Sequence, residues 1–192
     1  MNLADVPREK LSPMMQQYAA TKEKYSDCIV FFRLGDFYEM FFEDAILVSR
    51  ELELTLTGKE CGLEERAPMC GVPYHSVELY LKRLVDKGYK IAICEQMTDP
   101  ALSKGLVERD VIRIVTPGTL IESSMLEDDS NNYICTLYYG NDGSCALCFA
   151  DLSTGEMSLT VPQEAFDLSV RIMDVLSRYM PAELVMNSQA LS

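Results

Sequence analysis

Residues Phe31–Phe42, FFRLGDFYEMFF, limit what this chain can fold into more than any other stretch, because two apolar runs meet there across Gly35-Asp36. Glycine at the first central position of a two-residue connection takes a positive φ cheaply. Apolar Cys28–Leu34 and aromatic Phe37–Phe42 are therefore expected to form a hairpin. Side chains alternate along a strand, which puts Phe37, Glu39 and Phe41 on one face and Tyr38, Met40 and Phe42 on the other. At ~3.3 Å per residue, Phe37 and Glu39 stand roughly 7 Å apart, a flat ring and a carboxylate side by side next to a turn. Two other readings stay open on the residues alone. An aromatic run this dense usually forms core, with Glu39 on a solvated strand edge. A helix starting near Asp36 would also separate the two side chains, by more than about 100°.

The 192 residues suffice for one large or two small domains with real cores. No apolar run approaches the length of a membrane span, and MNLADVPREK lacks the regions of a signal peptide, so a cytoplasmic location is expected. Seven cysteines at irregular spacings suit a reducing compartment better than a disulfide framework. The net charge of −13 argues against a nucleic-acid partner, but it is unevenly spread. Residues 1–116 carry 15 Lys+Arg against 19 Asp+Glu, whereas residues 117–192 carry 2 against 11, so only the first part has the means to build a local basic patch.

Ser12-Pro13 reads as an N-cap and first helical residue of a helix reaching about Tyr25. After the hairpin, Phe41, Ala45, Val48 and Leu52 recur at helical spacing, with Glu43-Asp44 where a helix N-terminus favours acid. Glu53–Thr57 reads as a short strand, Gly58–Pro68 as an exposed loop, and the proline-bracketed PMCGVP of Pro68–Pro73 as a tight turn. Ser76 is expected to cap a helix ending at Gly88, followed by a strand Tyr89–Cys94, a loop Glu95–Gly105 and a strand Val107–Val115. This order makes the fold class α/β (α+β), a mixed β-sheet flanked by helices. Thr116-Pro117-Gly118 and the polar run after it mark a boundary, giving domains at 1–118 and 131–192 joined by a linker at 119–130. Strands Tyr133–Tyr139 and Ser144–Asp151 flank the hairpin signal Gly140-Asn141-Asp142-Gly143. Strand Glu156–Val161, a helix from about Gln163 to Met180 and strand Ala182–Met186 follow. An α/β pattern that stops at Ser192 implies the front of a longer protein.

Most catalytic or metal constellations lack support. Cys145-x-x-Cys148 has zinc-knuckle spacing but sits within an expected strand without a second pair; Cys61, Cys70, Cys94 and the lone His75 each fit a core or loop role. No catalytic residues and no metal are therefore assigned. No G-x-x-x-x-G-K-[ST] occurs, so this chain has no ATP site of that kind. Asp151 with Glu156 on adjoining strand ends would begin a two-metal nuclease set, a rival reading that lacks a placed third acid. A second rival is a protein-interaction module that uses the acidic second half.

The succession GDFYEMFFEDA, APMCGVPYH, AICEQ and VIRIVTPGTL resembles the N-terminal mismatch-recognition domain of the MutS family of bacterial DNA mismatch repair proteins, over residues about 12–120. Residues from about 131 are similar to the beginning of that family's connector domain, which implies the start of a ribonuclease-H-like α/β fold. The resemblance implies that Phe37 wedges into the minor groove against a mispaired base. It also implies that Glu39 contacts that base, accepting from a ring N–H or, if protonated, donating to a ring nitrogen. Arg33, Gln96, Lys104 and Arg109 are weaker candidates for groove or phosphate contacts. The implied partners are mismatched double-stranded DNA, a second copy through domains outside this chain, and a MutL-type repair protein through the connector domain. ATP and Mg are implied only for the C-terminal part of the family's full-length proteins, and this chain by itself is expected to bind DNA weakly and not to be an enzyme.

Overall fold

A computed structural model describes residues 1–98, 105–126, 130–162 and 168–191. The chain divides into two compact units, Met1–Val115 and Thr116–Ser192.

In the first unit, helix α1 (Pro13–Lys24) starts with Pro13 at its first turn; Ser12 sits at the N-cap position, but its side chain makes no capping hydrogen bond. Strands β1 (Ile29–Leu34) and β2 (Phe37–Phe41) pair antiparallel, with Phe32 opposite Glu39 and Leu34 opposite Phe37. The chain then enters helix α2 (Phe42–Leu52) without a linker, so one residue absorbs the change of direction: Phe42 has φ 53°. A bulky residue takes that left-handed conformation at a cost of order 1–3 kcal/mol, and the ring is held there by complete burial. Glu53, at φ 58°, closes α2 in the same conformation and delays the next strand, so β3 covers Thr57–Lys59 rather than Glu53–Thr57.

The expected turn at PMCGVP is instead strand β4 (Ala67–Pro73), paired with β3 on one side and β2 on the other. Proline cannot donate to a ladder, and Pro68 and Pro73 lie near and at the strand's two ends, where that loss is tolerated. After α3 (Val77–Val85), strand β5 (Ile91–Gln96) runs two residues into the expected loop because Glu95 and Gln96 pair with Asp110 and Arg109 of β6 (Arg109–Val115). The sheet order is β3-β4-β2-β1-β5-β6, with β1 and β5 parallel and the other neighbours antiparallel.

Each face of this sheet has a helix against it. Val30, Phe32, Phe41, Ala92 and Cys94 pack with Met15, Tyr18 and Ala19 of α1. The Tyr18 ring stands edge-on to Phe32 at 5.5 Å and to Phe41 at 5.0 Å. The opposite face carries Met40 and Cys70, and the Cys70 thiol lies 3.4 Å from the Ala45 carbonyl of α2. Asp44, in the first turn of α2, ties the layers together: its carboxylate accepts from the Val30 N–H at 2.9 Å, Lys22 Nζ at 2.8 Å and the Tyr18 hydroxyl at 3.1 Å. Burial raises the Asp44 pKa, and Lys22 and the hydrogen bonds oppose that rise.

The second unit holds β7 (Tyr133–Tyr139), β8 (Cys145–Asp151), β9 (Glu156–Thr160), α4 (Leu168–Tyr179) and β10 (Glu183–Met186), with sheet order β10-β7-β8-β9 and β10 parallel to β7. The expected helix start at Gln163 lies outside the described residues. Tyr133, Cys135, Leu137, Cys145, Leu147 and Phe149 form its core, closed by Tyr179 of α4 stacked on Phe149 at 4.1 Å. Among the described residues no helix is long and apolar enough to cross a membrane.

Candidate nucleic-acid interface

The β1–β2 hairpin ends at Gly35, whose φ of +58° is strained for any residue with a Cβ even though such a carbon would meet nothing within 4 Å. The turn is held from three sides. Its Gly35 N–H donates to Gln96 Oε1 of β5 at 3.1 Å, the Gly35 carbonyl accepts from Arg33 Nε, and the Asp36 carbonyl accepts from the Tyr74 N–H at 2.9 Å. Behind it, the Arg33 guanidinium lies 3.7 Å from the centroid of the Tyr74 ring and 3.3 Å from Glu95 Oε1, which also accepts from the Tyr38 hydroxyl. Burial, and then the Glu95 carboxylate, pushes the Tyr38 phenol well above its ordinary pKa and keeps it a donor.

Phe37 and Phe41 share a face of β2 and have opposite environments. Phe41 is wholly buried against Tyr18, whereas Phe37, at the turn, is 46% exposed. Glu39 lies between them on the same face, and Lys59 Nζ sits 3.1 and 2.9 Å from its two oxygens.

Three of the four weaker candidates, Arg33, Arg109 and Gln96, are engaged within the unit. Arg33 is committed to Tyr74, Glu95 and its own turn. Arg109 donates to the Arg33 carbonyl at 2.8 Å, Gln17 Oε1 at 3.0 Å and the Val107 carbonyl at 2.9 Å, with its guanidinium 5.1 Å from the centroid of the Phe32 ring. Burial lowers its pKa from the usual arginine value. Gln96 accepts from the turn amide. These three residues brace the hairpin from within, a use invisible in sequence because their partners are up to 92 positions away. Lys104 lies outside the described residues.

Asp151 is buried and fully engaged: Oδ1 accepts from the Ser153 hydroxyl at 2.6 Å and the Ser153 and Thr154 amides at 2.9 and 3.3 Å, and Oδ2 from the Asn132 amide at 3.0 Å. Burial acts to raise its pKa, but these hydrogen bonds together bring it below the ordinary carboxylate value. This is a turn-fixing carboxylate between β8 and β9, and it corrects the nuclease alternative. Cys145 and Cys148 lie three apart on a strand, so they face opposite ways. Among the described residues no group of three or more His, Cys, Asp or Glu is arranged to hold a metal.

Lys59, Tyr74 and Gly71 escaped sequence reasoning. Lys59 fell in a stretch expected to be exposed loop, and Tyr74 and Gly71 follow from recognising β4, whose prolines had signalled a turn.

A family model described as MutS domain I matches residues 12–124, and one described as MutS domain II matches residues 132–192. Over 178 residues the chain is 58% identical to the DNA mismatch repair protein MutS of Clostridium tetani, covering 93% of this chain and 20% of that protein. It is 57% identical over 179 residues to the protein of the same name from Acetivibrio thermocellus, with the same two coverages. With that from Clostridium botulinum it shares 58% over 176 residues, 92% of this chain and 18% of that protein. The chain thus spans about a fifth of the length of the curated relatives it matches. With both successive domain models matched across the hairpin unit and the α/β unit that follows, the chain belongs to the MutS family.

Proposed function

We propose that the first unit reads mispaired double-stranded DNA through its hairpin. Phe37 enters the minor groove and wedges beside a base, a step that costs about a few kcal/mol of unstacking and kinks the duplex. A mispair is already poorly stacked and easily bent, so the same step costs less there and the discrimination comes mostly from deformability. Glu39 then accepts a hydrogen bond from the displaced base, while a matched site offers its charge no such partner. The observation that carries this reading is the placement of Phe37: half-exposed at the end of a braced turn, on the face where Phe41 is buried. A wedge held in advance spends less of its binding energy on ordering.

In this reading the second unit is the start of a connector domain and the docking surface for a MutL-type repair protein. The whole protein acts as a homodimeric, ATP-dependent DNA clamp. ATP and Mg bind elsewhere in it, since the chain's own residues contain no phosphate-binding loop motif.

The test is a titration of matched and mismatched duplexes with a full-length polypeptide containing this chain. Phe37→Ala is expected to abolish the preference for the mispair and leave the protein folded. A Phe37→Ala variant that still prefers the mispair overturns the reading. The chain by itself is expected to bind weakly with little preference, and selective nanomolar binding by it would contradict that division of labour.

A further inference from the structure

We infer that Lys59 is a positioning residue that sets how strongly Glu39 discriminates, by acting as its counter-charge until a base takes its place. The inference rests on the reading above and adds a residue to it.

Glu39 and Lys59 are not on neighbouring strands: β4 runs between β2 and β3. Lys59 pairs with Ala67 of β4, four residues along that strand from the partner of Glu39, and strands are spaced ~4.8 Å apart, so both side chains must extend diagonally over β4 to meet. The residue opposite Glu39 on β4 is Gly71, and a Cβ there would come within 3.4 Å of Glu39 Cγ and 3.2 Å of the Tyr38 carbonyl. The sheet thus leaves a shallow track across β4 for the carboxylate stem. At the end of that track Lys59 Nζ meets both oxygens of Glu39, with the carboxylate side chain 14% exposed and the lysine 35% exposed. The result is a shielded acid, two residues along β2 from the half-exposed Phe37, with a more open cation that reaches it from the edge strand.

This arrangement has two consequences for a groove-reading carboxylate. Against a matched duplex, Glu39 finds no partner on the bases and its charge faces phosphates; paired with Lys59 it is neutralised, and the hairpin is tolerated. Against a mispair, Glu39 must leave Lys59 to take the base hydrogen bond, and breaking the pair subtracts from the gain. Both effects reduce the contrast between the two duplexes. Lys59 therefore tempers selectivity in favour of contact with ordinary DNA.

The experiment is a titration of full-length protein with matched and mismatched duplexes at fixed salt, using Lys59→Met, Lys59→Arg, Glu39→Ala, the Glu39→Ala/Lys59→Met double variant and Phe37→Ala. A partly exposed pair is worth little, so Lys59→Met is expected to raise the mismatch-to-match affinity ratio about two- to fivefold, chiefly by weakening matched binding. Lys59→Arg restores the wild-type ratio, and in the Glu39→Ala background Lys59→Met leaves the ratio unchanged. An unchanged or lowered ratio in Lys59→Met overturns the inference, as does a change of equal size in the Glu39→Ala background, which marks a plain phosphate contact. Retention of mismatch preference by Phe37→Ala overturns the underlying reading instead, so the two failures are told apart.

Discussion

Truncating each of two phenylalanines on one face of one strand separates a displayed ring from a structural one. Phe41 is completely buried, 5.0 Å edge-on from Tyr18, so Phe41→Ala removes a full aromatic contact and leaves a cavity between β2 and α1. Such changes cost about 3–5 kcal/mol. Phe37 is 46% exposed, so roughly half of the ring's burial is available to lose and no closed cavity forms. At ~25 cal/mol per Å² over the order of 100 Å² of side chain still covered, part of which an alanine keeps covered, Phe37→Ala should cost about 1–2 kcal/mol. For a unit the size of Met1–Val115, 1 kcal/mol moves the midpoint by roughly 4 °C or a little more, so Phe37→Ala shifts Tm by several degrees and Phe41→Ala by well over 10 °C. Thermal unfolding of this chain, followed by near-UV circular dichroism with urea midpoints as a check, measures both. If Phe37→Ala melts as early as Phe41→Ala, the ring is core and the wedge reading fails with it.

Gly35→Ala forces a Cβ into a left-handed backbone and should cost about 1 kcal/mol, read as lost hydrogen-exchange protection at the hairpin; unchanged protection would show that the turn relaxes freely. Asp151→Asn should lower stability by about 2 kcal/mol at neutral pH. Because the folded pKa of Asp151 is depressed, its contribution is present above the unfolded value and fades as pH falls through the folded one, so variant and wild type should converge in acid; a pH-independent gap in Tm would contradict this. Asp44 has the opposite sign: its folded pKa is raised, so its ionisation detracts from stability as pH rises through that value. Lys22→Met removes the cation that offsets this, so its penalty should grow from acid to neutral pH, and a penalty that shrinks instead would refute the assignment.

The elements legible in the sequence were those written in local chemistry. Gly35-Asp36 between apolar runs announced the hairpin, Pro13 the start of α1, and the spacing of Ala45, Val48 and Leu52 the apolar face of α2. The misreadings were non-local. Pro68 and Pro73 suggest a turn until β3 and β2 are seen on either side of β4, and Glu95-Gln96 look like loop until β6 pairs with them.

By itself the sequence determined that, if Phe37–Phe41 is extended, Phe37 and Glu39 stand on one face next to a turn, because the alternation of side chains is a property of the extended backbone alone; that the run is strand and not helix was decided by the pairing of β2 with β1 and β4. Whether that face is covered was decided only by tertiary packing: Tyr18 of α1 covers Phe41, while Phe37 at the hairpin tip is left half open. Tertiary packing likewise assigned the charges. Arg33 went to Glu95, Arg109 to Gln17 and Lys59 to Glu39, pairings across 20 to 92 positions that exist only because strands distant in sequence join one sheet and α1 packs against it.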